Sequence, residues 1–134
     1  GGKIEFTQDE VTHNGWSIEC RINAEDSDNG FMPCPGKIEQ IILPGGFGVR
    51  VDTHLYSGYE VPPFYDSLIA KLVVWADNRA AAVTRTKRAL SEFYIEGIKT
   101  TVPFHQKIME DEDFVKGNIN THFIKNKFAT EQVS

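Results

Sequence analysis

The chain has 134 residues, 40% hydrophobic, 11% aromatic and 25% charged, which fits one soluble globular domain and excludes a disordered, collagenous or membrane-spanning chain. Lys and Arg number 14 against 19 Asp and Glu, a net charge of −5, so nucleic acid is disfavoured as a partner because phosphate binding wants a basic face. Two cysteines, Cys20 and Cys34, are too few for a disulfide scaffold or a zinc ribbon, and no run approaches the ~18 apolar residues of a membrane span; a reducing, cytoplasmic setting is expected.

The opening Gly1-Gly2 lacks an initiating Met and reads as a tag scar or the edge of an excised piece, with residues 1–14 as linker. Residues Trp16–Asn23 alternate strictly, Trp16, Ile18, Cys20 and Ile22 on one side and Ser17, Glu19, Arg21 and Asn23 on the other, the pattern of a half-buried strand. Turn residues Asp26–Gly30 follow, and Pro33, Pro35 and Gly36 interrupt the chain before an extended segment at Lys37–Leu43. Pro44–Gly48 forms a second turn and Val49–Asp52 alternates again, so a meander is expected. Tyr56–Asp66, rich in proline and aromatic residues, suits an ordered loop, and Leu68–Trp75 is an apolar run of strand length, the most buried strand. Asp77 or Asn78 caps a helix running to about Phe93, with Val83, Leu90 and Tyr94 on one face and Arg79, Arg85, Lys87 and Arg88 on the remainder. A short strand is expected at Ile98–Thr100, then helices at Val102–Met109, capped by Thr100 or Thr101, and at Thr121–Lys127. Strands first and helices last indicate an α+β fold, a mostly antiparallel sheet with helices in the C-terminal half.

Local motifs exclude more than they suggest. Pro44–Arg50 is rich in glycine, but it carries no Gly-Lys-Ser/Thr and a strand follows it, so no helix N-terminus is offered to a phosphate. Asp26–Gly30 resembles the start of a calcium loop, yet its glycine comes one place early and position 12 counted from Asp26 is Lys37. His13, His54, His105 and His122 have neither the spacing of a metal site nor a nearby cysteine, and lone histidines of this kind are structural or exposed. Arg21 stands out. An arginine on a rigid strand can aim its planar fork at an oxyanion, where it stabilises negative charge but abstracts no proton. The alternative is a surface arginine paired with Glu19 or Glu25.

At Glu19-Cys20-Arg21-Ile22-Asn23-Ala24-Glu25-Asp26 the sequence resembles the C-terminal domain of biotin carboxylases, the component shared by acetyl-CoA, propionyl-CoA and pyruvate carboxylases. The likeness continues through Phe31-Met32-Pro33, Pro35–Ile38, Pro44–Asp52, Tyr56–Leu72 and Gly97–Thr101, over residues 15–128, which leaves 129–134 as a tail. Two departures are visible: Trp16 stands where many members have His, and the Ser27–Gly30 turn is longer than in close bacterial members, where insertion costs little.

The resemblance implies a carbon–nitrogen ligase that uses ATP and bicarbonate to make carboxyphosphate and carboxylates biotin held on a carrier protein or domain. Arg21 matches the family's catalytic arginine, which holds the biotin enolate oxygen and helps place bicarbonate. Glu19, Asn23 and Lys71 are implied to line the site, and Asp66 either to orient Arg21 or to line the site as well. Phe47, Arg50 and Glu92 match positions at the homodimer interface of bacterial members. ATP and Mg2+ belong to an upstream ATP-grasp region that nothing here resembles, so no cofactor-binding or metal residues are assigned to this chain, and alone it is expected to be inactive. A carboxyltransferase completes the implied assembly and selects the acceptor, which in the acetyl-CoA case feeds fatty acid biosynthesis. The competing reading is a purely structural dimerisation and docking module of an ATP-grasp ligase.

Overall fold

The computed structural model describes residues 1–64 and 66–128; Tyr65 of the quoted motif and the expected tail, 129–134, lie outside the described residues. Residues 1–14 contain a 3-10 turn at Gln8–Glu10 and bury no side chain. The strands are β1 (Trp16–Asn23), β2 (Glu25–Asp26), β3 (Met32–Pro33), β4 (Gly36–Lys37), β5 (Gln40–Ile42), β6 (Val49–Thr53), β7 (Glu60–Val61), β8 (Leu68–Ala76) and β9 (Tyr94–Glu96). The helices are α1 (Arg79–Glu92), α2 (Val102–Glu110), α3 (Glu112–Lys116) and α4 (Phe123–Phe128).

The main sheet is antiparallel with the order β1-β8-β6, and the other strands pair off as β2-β3, β4-β7 and β5-β9. The expected α+β class holds, but the meander does not. Strand β8 lies between β1 and β6 because it alone is apolar on nearly every residue, with Ile69, Ala70, Leu72, Val74 and Ala76 buried, and such a strand belongs at the centre of a sheet. Helix α1 covers one sheet face. Its Ala82, Val83, Ala89 and Leu90 join Ile18, Cys20 and Ile22 of β1 and Leu72 and Val74 of β8 in the core. Among the described residues no helix is long and apolar enough to cross a membrane.

Asn78 is the cap of α1, its side-chain oxygen accepting from the Ala81 amide at 2.9 Å. The helix ends at Glu92, so Tyr94 does not belong to its buried face. Phe93 leaves helical geometry at φ −79°, ψ 104°, and the chain runs on as β9 to pair with β5, Tyr94 opposite Ile42. The strand expected at Ile98–Thr100 is thus displaced to Tyr94–Glu96. Gly97 stops it: at φ +103° a Cβ there would lie 2.1 Å from the Lys37 carbonyl oxygen, so only glycine lets the two backbones approach. The extended segment Lys37–Leu43 is split into β4 and β5 because it changes partner: the amide of the fully buried Ile38 still bonds to the Tyr59 carbonyl in the β4-β7 register, and the Glu39 amide turns to the Glu96 carbonyl beside β5.

Helix α3 carries no apolar periodicity in its sequence and forms from its cap. Asp111 accepts from the amides of Asp113 and Phe114 at 2.9 and 3.1 Å, Gly117 closes the turn at φ 82°, and Lys127 of α4 lies 2.7 Å from Asp111 and 2.6 Å from Asp113. Arg79 is not simply on the polar side of α1, for its guanidinium lies over the Trp16 and Phe114 rings at 5.5 and 5.2 Å.

Candidate functional site

The face of the main sheet turned away from α1 carries the charged residues. Directly paired residues of antiparallel strands project to the same side, so the register Arg21↔Lys71↔Asp52 makes one row across β1, β8 and β6, and Glu19↔Val73↔Arg50 the next. Arg21 and Glu19 are exposed and Lys71 half-buried. Among the described residues no carboxylate lies within 4.0 Å of the charged end of either Arg21 or Lys71, in contrast to Arg50, Lys87, Arg88, Lys99, Lys107, Lys116 and Lys127, which are all ion-paired. Neither Glu19 nor Glu25 pairs with Arg21. Glu25 instead accepts from Asn23 Nδ2 at 3.2 Å and from the Ser67 hydroxyl. Like charges set opposite each other on a sheet repel, so two adjacent cations with no carboxylate in ion-pair contact favour an anion beside them, with Asp52 opposite Lys71 offsetting part of that charge.

Asp52 completes the row. Arg50 holds it bidentately, both bonds at 2.8 Å, and this bond first, with Lys71 adding its charge, keeps the Asp52 carboxyl below the usual range. Asp52, Lys71, Leu68 and the neighbouring Thr53–His54 line an open depression of about 390 Å³. Asp66, expected to orient Arg21, accepts from the Leu68 amide at 2.9 Å and so shapes the start of β8. Cys20, beside Arg21, faces the core; burial, aided by Glu19, pushes its thiol up to about 12, so it stays a protonated core residue and not a nucleophile.

The other edge of β1 is held by Thr101, which the sequence offers as a helix cap, and by His105, which it offers as a structural or exposed histidine. Thr101 donates to the Arg21 carbonyl at 3.3 Å and accepts from the Asn23 amide at 3.0 Å, and His105 Nε2 lies 2.8 Å from the same Arg21 oxygen. A lone threonine and a lone histidine carry no spacing signal. Burial holds the His105 imidazole below its ordinary 6.5, against the opposing effect of its bond to Arg21. As pH falls, the unfolded chain takes up this proton before the folded one, so stability present above ~6.5 is lost as pH drops through the lower folded value. The midpoint of thermal unfolding should therefore fall more between about pH 7.5 and about pH 5.5 in the wild type than in His105→Gln; parallel curves would show that His105 does not titrate differently on folding.

The remaining candidates cluster at the turn before β6. Phe47 is 98% exposed at its tip. Gly48 has φ +71°, and a Cβ there would meet the Trp75 carbonyl oxygen at 2.4 Å, so this glycine serves close backbone packing. A strand and not a helix follows it. Arg88 ties this turn to Glu92, with Nη1 2.7 Å from the Glu92 carboxylate and Nη2 3.2 Å from the Gly45 carbonyl. Glu92 is thus linked through Arg88 to the turn that carries Phe47, while Arg50 follows on β6 and pairs with Asp52. The acidic turn between β2 and β3 is neutralised by lysines, Lys99 on Asp26 at 2.6 Å and Lys107 on Asp28 at 3.3 Å. Among the described residues no group of three His, Cys, Asp or Glu side chains converges as a metal site.

Known proteins are similar to this chain in sequence and in fold. The chain is 53% identical over 125 residues to a biotin carboxylase of Nostoc sp., covering 93% of this chain and 28% of that protein. It is also 53% identical over 125 residues to biotin carboxylase 1 of Bacillus subtilis, again covering 93% and 28%. Among solved structures, the biotin carboxylase domain dimer of Hydrogenobacter thermophilus 2-oxoglutarate carboxylase, in complex with MgADP, ADP and bicarbonate, superposes with a TM-score of 0.90 at 48% identity, covering 94% of this chain and 28% of that one. The chain thus spans little more than a quarter of the length of these relatives. The family model for the biotin carboxylase C-terminal domain matches residues 19–126, and the chain belongs to that family.

Proposed function

We propose that this domain supplies the anion-stabilising part of a biotin carboxylase active site, with Arg21 as the residue that holds the oxygen of biotin's ureido group as it becomes negative and that helps to place bicarbonate. The observation that carries this reading is the pair Arg21 and Lys71, side by side on a rigid sheet face with no carboxylate in ion-pair contact among the described residues. A guanidinium fork suits a carboxylate-like or enolate oxygen, and being permanently charged it acts by electrostatics alone. The residues here do not fit ATP or Mg2+: the glycine-rich turn opens no helix and the acidic turn is already paired with lysines. Those ligands are assigned to an ATP-grasp region of the same enzyme. Biotin arrives on a carrier protein or domain, and a carboxyltransferase takes the carboxyl group on to acetyl-CoA, propionyl-CoA or a keto acid. A cytoplasmic location accords with two free thiols. The test is fixation of labelled bicarbonate onto biotin by the full-length protein, wild type against Arg21→Ser; near-normal fixation by the variant sinks the reading.

Phe47 favours an added role in assembly. A phenylalanine almost wholly in water beside the exposed Arg50 fits the homodimer contact assigned to Phe47, Arg50 and Glu92. Phe47→Ala combined with Arg50→Glu should convert full-length dimers to monomers in analytical ultracentrifugation, since it removes the aromatic anchor and sets a second carboxylate beside Asp52. If the double variant stays dimeric, this surface is not the interface. If monomers lose all activity while Arg21→Ser keeps it, the purely structural reading prevails.

A further inference from the structure

Strand β1 is an edge strand, paired with β8 on one side only, and its ladder slips between Ile22 and Asn23. The extra residue at the slip, Ile69, lies on β8, and along its outer side the edge strand β1 presents backbone groups that no ladder satisfies. Here the affected stretch carries Arg21 and Asn23, and four hydrogen bonds close it. Besides the bonds from Thr101 and His105 to the Arg21 carbonyl, Asn23 and Thr101 bond in both directions, the Asn23 amide to the Thr101 hydroxyl oxygen and the Thr101 amide to the Asn23 carbonyl, each at 3.0 Å.

Thr101 occupies the N-cap of α2, a position whose hydroxyl ordinarily accepts from the first turn of its own helix. It makes no such bond. The Val102 amide turns instead to Thr100 Oγ1 at 3.4 Å, which leaves the Thr101 hydroxyl to β1, where it gives its one proton to Arg21 O and accepts from Asn23 N. Thr101 is 5% exposed, so its hydroxyl depends on these two partners. The Arg21 carbonyl can only accept, which makes His105 Nε2 the protonated ring nitrogen.

We propose that Thr101 and His105 are positioning residues for Arg21, clamping the free edge of β1 through the Arg21 carbonyl and the Asn23 amide and so fixing where the guanidinium points. The inference rests on the anion-stabilising reading of Arg21. A long side chain amplifies any tilt of the strand that bears it, and a misplacement near 1 Å costs up to ~10²-fold in rate.

The experiment is a mutant cycle on biotin carboxylation by the full-length protein. Thr101→Val and His105→Leu, which remove the donors at nearly constant volume, should each lower kcat about tenfold with the KM for ATP within about twofold of wild type. Thr101→Ser and His105→Gln keep a donor and should restore most of the rate. In an Arg21→Ser background, Thr101→Val should change the residual rate less than about twofold, because a clamp has nothing left to aim. Near-normal kcat in both Thr101→Val and His105→Leu overturns the proposal, and so does an equal tenfold loss with and without Arg21, which is the mark of a merely structural role. If Thr101→Val does not fold, His105→Leu carries the same cycle. Near-normal turnover by Arg21→Ser alone removes instead the reading on which the proposal rests.

Discussion

Arg21→Ser in the full-length protein should lower biotin carboxylation about 10²–10³-fold, the usual effect of deleting one preorganised partner of a developing oxyanion. Bicarbonate-dependent ATP cleavage should fall much less, since no residue of this chain is assigned to the nucleotide. Arg21 is exposed and ion-pairs with no described carboxylate, so removing it relieves its repulsion with Lys71 and should leave the unfolding temperature unchanged or slightly raised. A loss of activity with an intact fold separates the role in the reaction from a role in stability. Arg21→Lys should remain impaired despite its charge, because an ammonium offers a point and not a planar fork. Lys71 stands directly across the ladder and remains in both variants.

The largest effect on stability should come from Leu72→Ala. Leu72 is fully buried in the central strand, opposite Cys20 on one side and Val51 on the other. Truncation removes buried methyl groups and leaves a cavity that the three-stranded sheet cannot close, at a cost of about 2–5 kcal/mol. Domains of this kind have about 5–15 kcal/mol in total, so chemical denaturation should show a much lower midpoint with a similar slope. Leu72→Met keeps the volume and should cost less than about 1.5 kcal/mol. If Leu72→Ala unfolds at the wild-type denaturant concentration, the sheet centre is not where the core is. Because Leu72 follows Lys71 and its partner Cys20 precedes Arg21, this core side chain also backs the charged row.

Much of this domain was legible from periodicity. The strict alternation of Trp16–Asn23 placed Ile18, Cys20 and Ile22 in the core and Glu19 and Arg21 outside, as the structure has them. The apolar run at Leu68–Trp75 is the central strand, and Asn78 caps the main helix. Short elements escaped. Strands of two or three residues such as β4, β7 and β9 contain less than one period, and α3 is specified by a cap and a lysine bridge more than by an apolar face. Tyr94 has the spacing of a helix-face residue, but Phe93 turns the chain into extended geometry and β5 offers the open edge that Tyr94–Glu96 completes.

The sequence alone was enough for the domain class, for the family through its ordered motifs, and for Arg21 as the residue to question, because alternation, composition and motif order are properties of the chain. The tertiary structure decided which groups meet. It set Lys71 and Asp52 beside Arg21 across three strands far apart in sequence, gave the carboxylate of Asp66 to the Leu68 amide, and brought Thr101 and His105 to the free edge of β1 some 80 residues later. The physical reason is that strand order and register depend on which apolar faces bury together, a global condition that no local spacing encodes.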